Sequence, residues 1–190
     1  FFDPTAYKKN LTRFAPVWGL YTVGLFLGLF VMSNSGASYW LYSNMADCIQ
    51  FMAIVNLGYA LICAQLLFGD LYNARMCNML HALPIRREGW LLTGITAGIL
   101  FSVVPNLLMC LVASAVLQQY TYIAFIWLAV STLQFLFYFG TAVFSAMCAG
   151  NRLGMLAIYG IIQLITVLVL GLAEMIYVPM LYGVKFSFNG

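Results

Sequence analysis

Five long stretches of this chain carry no charge through their middle, and no other feature constrains its fold as strongly. They cover about Phe14 to Met32, Cys48 to Gly69, Trp90 to Leu117, Tyr122 to Cys148 and Gly154 to Ile176. A helix rising about 1.5 Å per residue needs roughly 20 apolar residues to cross a hydrocarbon core about 30 Å thick. Each stretch is about that long or longer. Asp47, Asp70 and Glu174 fall near predicted ends, where a carboxylate can reach water. Composition removes the other fold classes. Of 190 residues, 7% are charged and 64% are apolar. A soluble domain carries about 25% charge, and a disordered chain is poor in apolar residues. The expected fold is all-α, a polytopic membrane helical bundle. It has five predicted transmembrane helices (six expected in the natural chain) in one transmembrane domain over residues 1–190.

The basic residues set the orientation. With the N-terminus in the cytoplasm, Lys8, Lys9, Arg13, Arg75, Arg86, Arg87 and Arg152 lie inside, seven of the eight, and only Lys185 lies outside. The positive-inside rule selects this arrangement. Residues 1–13 then form an amphipathic N-terminal segment and residues 70–89 a cytoplasmic segment. Residues 177–190 are the start of an extracellular loop or domain. The chain opens on Phe1 rather than Met, so a short upstream piece is expected, and a further span is expected beyond Gly190.

Sequence signs of catalysis are missing. A P-loop needs Gly-x4-Gly-Lys so that backbone amides and a lysine can hold phosphates. Lys8, Lys9 and Lys185 are the only lysines, and none has that context. An HExxH site cannot form with one histidine, and no buried carboxylate pair offers acid–base chemistry. The chain itself is expected not to be an enzyme. Its five cysteines are odd in number and mostly lie within spans, where cysteine acts as a small apolar residue. Cys77 and His81 would share a helix face, but a zinc site needs about four ligands.

Two spans carry polar stripes. In the fourth, Ser131, Gln134, Tyr138, Thr141, Ser145 and Cys148 follow one another at steps of three and four, which is one helix face. Lipid offers such groups no partner. This face therefore meets either a translocation pathway or a neighbouring helix. Phe135 and Phe139 fall off that stripe and are expected to matter less. In the third span, Gly94, Gly98, Ser102, Asn106, Cys110 and Ser114 recur at every fourth residue, beginning as a GxxxG pattern suited to close helix packing. Pro105 removes one backbone hydrogen bond there and is expected to bend the helix, as a static kink or as a hinge. Gly24 and Gly28 form a second GxxxG in the first span. Tyr159, Gln163, Thr166 and Glu174 share roughly one side of the fifth, and Glu174, ionisable near a membrane segment, is a functional candidate. Trp18, Trp40, Trp90, Tyr120 and Tyr122 lie near predicted interfaces, where such rings anchor a helix.

The longest internal polar break runs from Asp70 to Trp90. Leu71, Ala74, Met76 to Leu80 and Leu83 can form a short helix with an apolar side, and Pro84 disfavours helix at Leu83. A new helix then starts around Arg86. The short helix suits either the membrane surface or the groove of a soluble partner.

The run Leu80-His81-Ala82-Leu83-Pro84-Ile85-Arg86-Arg87, after span two and before a long span three, resembles the cytoplasmic loop of bacterial ABC-2-type transporter permease subunits. The stretch Tyr7-Lys8-Lys9-Asn10-Leu11-Thr12-Arg13-Phe14 with Trp18 is similar to the amphipathic helix that precedes their first span. The resemblance covers nearly the whole chain in span order and orientation. It implies a permease that pairs as a homo- or heterodimer in the cell (plasma) membrane, surrounded by lipids, and associates with two separate ABC ATPase subunits. ATP and Mg would bind those subunits, with no cofactor or metal on this chain and no nucleic acid. It further implies that Arg75, Met76, Met79, Leu80, Leu83, Pro84 and Arg86 form the element that couples to the ATPase. The chain departs from the family in ending after five spans. Two other readings stay open: a membrane subunit of a sensory or resistance complex, and an ATP-independent carrier.

Overall fold

The structure, a computed structural model, describes residues 12–34, 45–73, 87–117 and 121–180. These form five α-helices: α1 Ala15–Asn34, α2 Met45–Phe68, α3 Arg87–Leu117, α4 Thr121–Cys148 and α5 Arg152–Met180. A 3-10 turn, Gly69–Tyr72, closes α2. Each helix overlaps the apolar stretch that predicted it. α5 continues to Met180, into the segment expected to begin a loop. Helices α2 to α5 are long and apolar enough to cross a membrane, and the apolar part of α1 from Ala15 to Gly28 is shorter. The protein is a multi-pass membrane helical bundle.

Helix α4 is the hub, packing against α2, α3 and α5, while α1 lies against α3. Small residues are among the most deeply buried positions of the bundle. Ala60 and Ala64 on α2, Ala97 on α3, and Ala142 and Ala146 on α4 are at most 1% exposed. The alanines on α2 and α4 are spaced four apart, so each pair stands on one face, a small-xxx-small arrangement that lets backbones come together. Large apolar side chains point outward. Leu20, Phe51, Ile54, Leu133 and Leu164 are all more than 60% exposed, as suits surfaces that meet lipid rather than water.

The two glycines of the third-span stripe make room for aromatic rings instead of a second backbone. A Cβ on Gly98 would collide with Phe139 Cζ, and one on Gly94 would stand 3.0 Å from Phe68 Cζ. Phe139 thus lies on bare α3 backbone, stacked on Phe135 at 5.5 Å, and Phe135 is tilted against Tyr59 at 5.6 Å. Phe135 and Phe139, off the polar stripe and expected to matter less, are nonetheless buried, at 1% and 2% exposed. Heptad-like steps of polar residues mark only part of a wider buried arc on α4, because aromatic rings fill the same interface. A Cβ on Gly24 or Gly28 would meet nothing within 4 Å among the described residues.

Candidate functional site: a polar cluster at mid-bundle

Near the middle of α2, α3 and α4, polar side chains converge in the apolar interior. Asn56 and Asn106 are fully buried, and Ser131 is nearly so. Membrane depth offers them no water, so each polar atom must find a protein partner. They find one another. The Tyr21 hydroxyl of α1 donates to Asn56 Oδ1 at 2.9 Å. Asn56 Nδ2 faces Ser131 O and Ser131 Oγ, each at 3.3 Å, and Gln134 Oε1 at 3.4 Å. Ser131 Oγ donates to Asn106 Oδ1 at 3.3 Å, and Asn106 Nδ2 donates to Ser102 Oγ at 3.1 Å. One connected chain of bonds thus joins four helices. The rings beneath it are also paired, with Tyr21 stacked on Tyr59 at 4.0 Å and 5° between planes.

Pro105 is a second part of the same site. Helix α3 runs unbroken through it. Proline has no N–H, so the carbonyl four residues earlier, that of Phe101, loses its usual donor. The Tyr59 hydroxyl, from α2, donates to Phe101 O at 2.9 Å. A side chain on a neighbouring helix therefore replaces the missing backbone bond. Tyrosine hydroxyls meet backbone carbonyls of α2 and α4 as well: Tyr159 of α5 donates to Leu57 O at 3.1 Å, and Tyr72 donates to Ala146 O at 3.0 Å. Ala146 lies in the last turn of α4, where carbonyls lack intrahelical partners.

The fourth-span stripe divides between neighbours. Ser131 and Gln134 face α2 and α3. The half-buried Gln134 donates from Nε2 to Ile49 O at a long 3.5 Å. Thr141 meets α5, accepting from Gln163 Nε2 at 2.8 Å. Thr141 and Ser145 donate their own protons to carbonyls of α4, those of Tyr138 and Thr141. The Tyr138 ring stands edge-on to Phe137, and Cys148 is exposed. Of the fifth-span residues, Tyr159 and Gln163 are buried, while Thr166 donates back to Ile162 O within its helix. From the third-span stripe, Ser102 and Asn106 belong to the cluster. Sequence reasoning missed Tyr21, Asn56 and Tyr59. An asparagine in the centre of an uncharged stretch was the signal available for Asn56.

All basic positions of the described helices gather at one end. Arg13 meets Asp70 at 3.5 Å, and the Arg152 guanidinium lies over Gly69. Trp90, just inside α3, stands edge-on to Phe68 at 5.4 Å, which brings the start of α3 to the same end. The expected coupling residues Arg75, Met76, Met79, Leu80, Leu83, Pro84 and Arg86 lie outside the described residues, as do Cys77 and His81. No family model matches this chain, and no curated protein or solved structure resembles it at a significant level.

Proposed function

We propose that this chain is the membrane-spanning permease subunit of an ATP-binding-cassette exporter in the plasma membrane, supplying half of the translocation pathway. Hydrolysis of Mg-ATP takes place on separate ATPase subunits, and a second permease subunit completes the pathway. The observation that carries this reading is the run Leu80 to Arg87, which resembles ABC-2 permeases and sits between two anchored helix ends. Before it, Tyr72 is bonded to the end of α4. After it, Trp90 rests on Phe68. A push on such a segment reaches α2, α3 and α4 together, and these are the helices that the mid-bundle cluster ties to one another.

An ion-coupled carrier is supported less well, because it needs an ionisable group at membrane depth. The buried polar side chains among the described residues are Asn, Ser, Thr, Gln and Tyr, and none of them is a carboxylate, Lys, Arg or His. The test is co-purification of the ATPase subunit together with the ATPase rate in reconstituted membranes. Leu80→Asp or Leu83→Asp would press a carboxylate into an apolar groove without a partner. The expected result is lost ATPase binding with the bundle still inserted. Wild-type binding and rate for both variants reject the reading.

A further inference from the structure

At the basic end, a cavity of about 200 Å³ is lined by Arg13 and Phe14 just before α1, by the last turns of α2 with its 3-10 turn, and by Arg152 at the start of α5. We infer that it binds the phosphate of an anionic phospholipid, with the acyl chains running down the apolar outer surface of α2 and α5. The inference does not depend on the transporter reading.

Its polar wall has binding capacity to spare. Arg152 is exposed at the start of α5 and has no acidic partner among the described residues. Arg13 has one, Asp70, at 3.5 Å. Tight charge-assisted pairs close to about 2.7–2.9 Å, so this contact is loose, and a guanidinium carries five N–H donors. Gln65, half-buried in the same wall, makes no hydrogen bond among the described residues. The two arginines outnumber the one carboxylate, so the described wall is net positive. The α5 N-terminus, capped by Asn151 Oδ1 at Gly154 N, adds the positive end of a helix dipole.

The other wall decides which phosphate fits. Phe14, Ile62 and Leu66 line it. Ile62 is 49% exposed on the outside of α2, and Leu153 is 77% exposed at the first turn of α5. A free phosphate ion makes no use of such surface, whereas a lipid places its glycerol and chains there. By the positive-inside rule, this end faces the cytoplasm, where anionic lipids attract basic side chains with about 1 kcal/mol each.

The test uses the full chain, delipidated in neutral detergent and titrated with phosphatidylglycerol or phosphatidylcholine, with bound lipid read by native mass spectrometry. Phosphatidylglycerol should bind preferentially. Arg13→Gln and Arg152→Gln should each weaken it about fivefold, and together about 25-fold, as about 1 kcal/mol per arginine requires. Leu66→Gln should weaken lipid binding while leaving both arginines in place. An unchanged thermal midpoint in detergent confirms that each variant is folded. Equal retention of the two lipids, or wild-type retention by the double arginine variant, overturns the site. Displacement of the lipid by inorganic phosphate alone overturns the lipid assignment in favour of a free anion.

Discussion

At mid-bundle, Asn56, Asn106 and Ser131 are buried, neutral and bonded to one another, while at the basic end Arg13 and Asp70 are 52% and 32% exposed and meet loosely at 3.5 Å. Both regions gather polar side chains, but they face different solvents. At membrane depth an unpaired polar group has no water to fall back on, so the mid-bundle cluster uses amides and hydroxyls that bond to one another. At the end of the bundle water satisfies what protein does not, and full charges can stay half-paired. The same side chain therefore means different things by depth. A hydrogen bond at the centre fixes which helices touch. An ion pair at the end contributes little to the fold and leaves donors for a ligand.

The comparison ranks four substitutions. Asn56→Leu should do most harm. It removes the acceptor of Tyr21 and the donor to Ser131 and Gln134, leaving buried groups unpaired at about 1–3 kcal/mol. Unfolding in mixed micelles reads that loss, and a wild-type midpoint would mean that the cluster does not hold the helices together. Gly98→Ala comes next. Its Cβ would collide with the Phe139 ring, and overpacking of this kind costs about 1–3 kcal/mol. Gly28→Ala, which meets nothing among the described residues, serves as the control in the same assay. Gln134→Leu should cost less, near the ~0.6 kcal/mol average for polar contacts within membranes, because its bonds are long, at 3.4 and 3.5 Å. Arg13→Ala should cost about 0–1 kcal/mol and lose even that in high salt. A larger effect for Arg13 than for Asn56 would reverse the contrast between the two regions.

Much of the fold was legible because the lipid requirement is coarse. Long uncharged runs gave helices, and the basic residues gave a common end. The polar stripe on α4 was legible as a face, yet its boundaries were not. Phe135 and Phe139 belong to the buried side, and hydropathy cannot tell an aromatic ring packed on Gly98 from one in lipid. Close helix contacts were sought at GxxxG patterns, and Gly94 and Gly98 do take rings from neighbouring helices, but the buried alanine pairs four apart, Ala60 with Ala64 and Ala142 with Ala146, were not singled out. Alanine blends into an apolar stretch where glycine stands out. Pro105 was visible as a broken hydrogen bond. Its replacement donor, Tyr59, comes from another helix, and no local pattern connects residues 59 and 101.

That replacement bond is where the account of the interior can be tested most directly. If Tyr59 is present to serve the carbonyl that Pro105 leaves without a donor, its hydroxyl matters only while the proline is there. A double-mutant cycle separates this role from ordinary packing, since Tyr59→Phe keeps the ring stacked on Tyr21. In the wild-type background, Tyr59→Phe should cost about 1 kcal/mol or somewhat more, for a carbonyl left unpaired in an apolar interior. In the Pro105→Ala background, the restored backbone N–H can reach Phe101 O, and the same change should cost close to nothing. Equal losses in both backgrounds would contradict the account, because the hydroxyl would then be serving something other than the proline's missing bond.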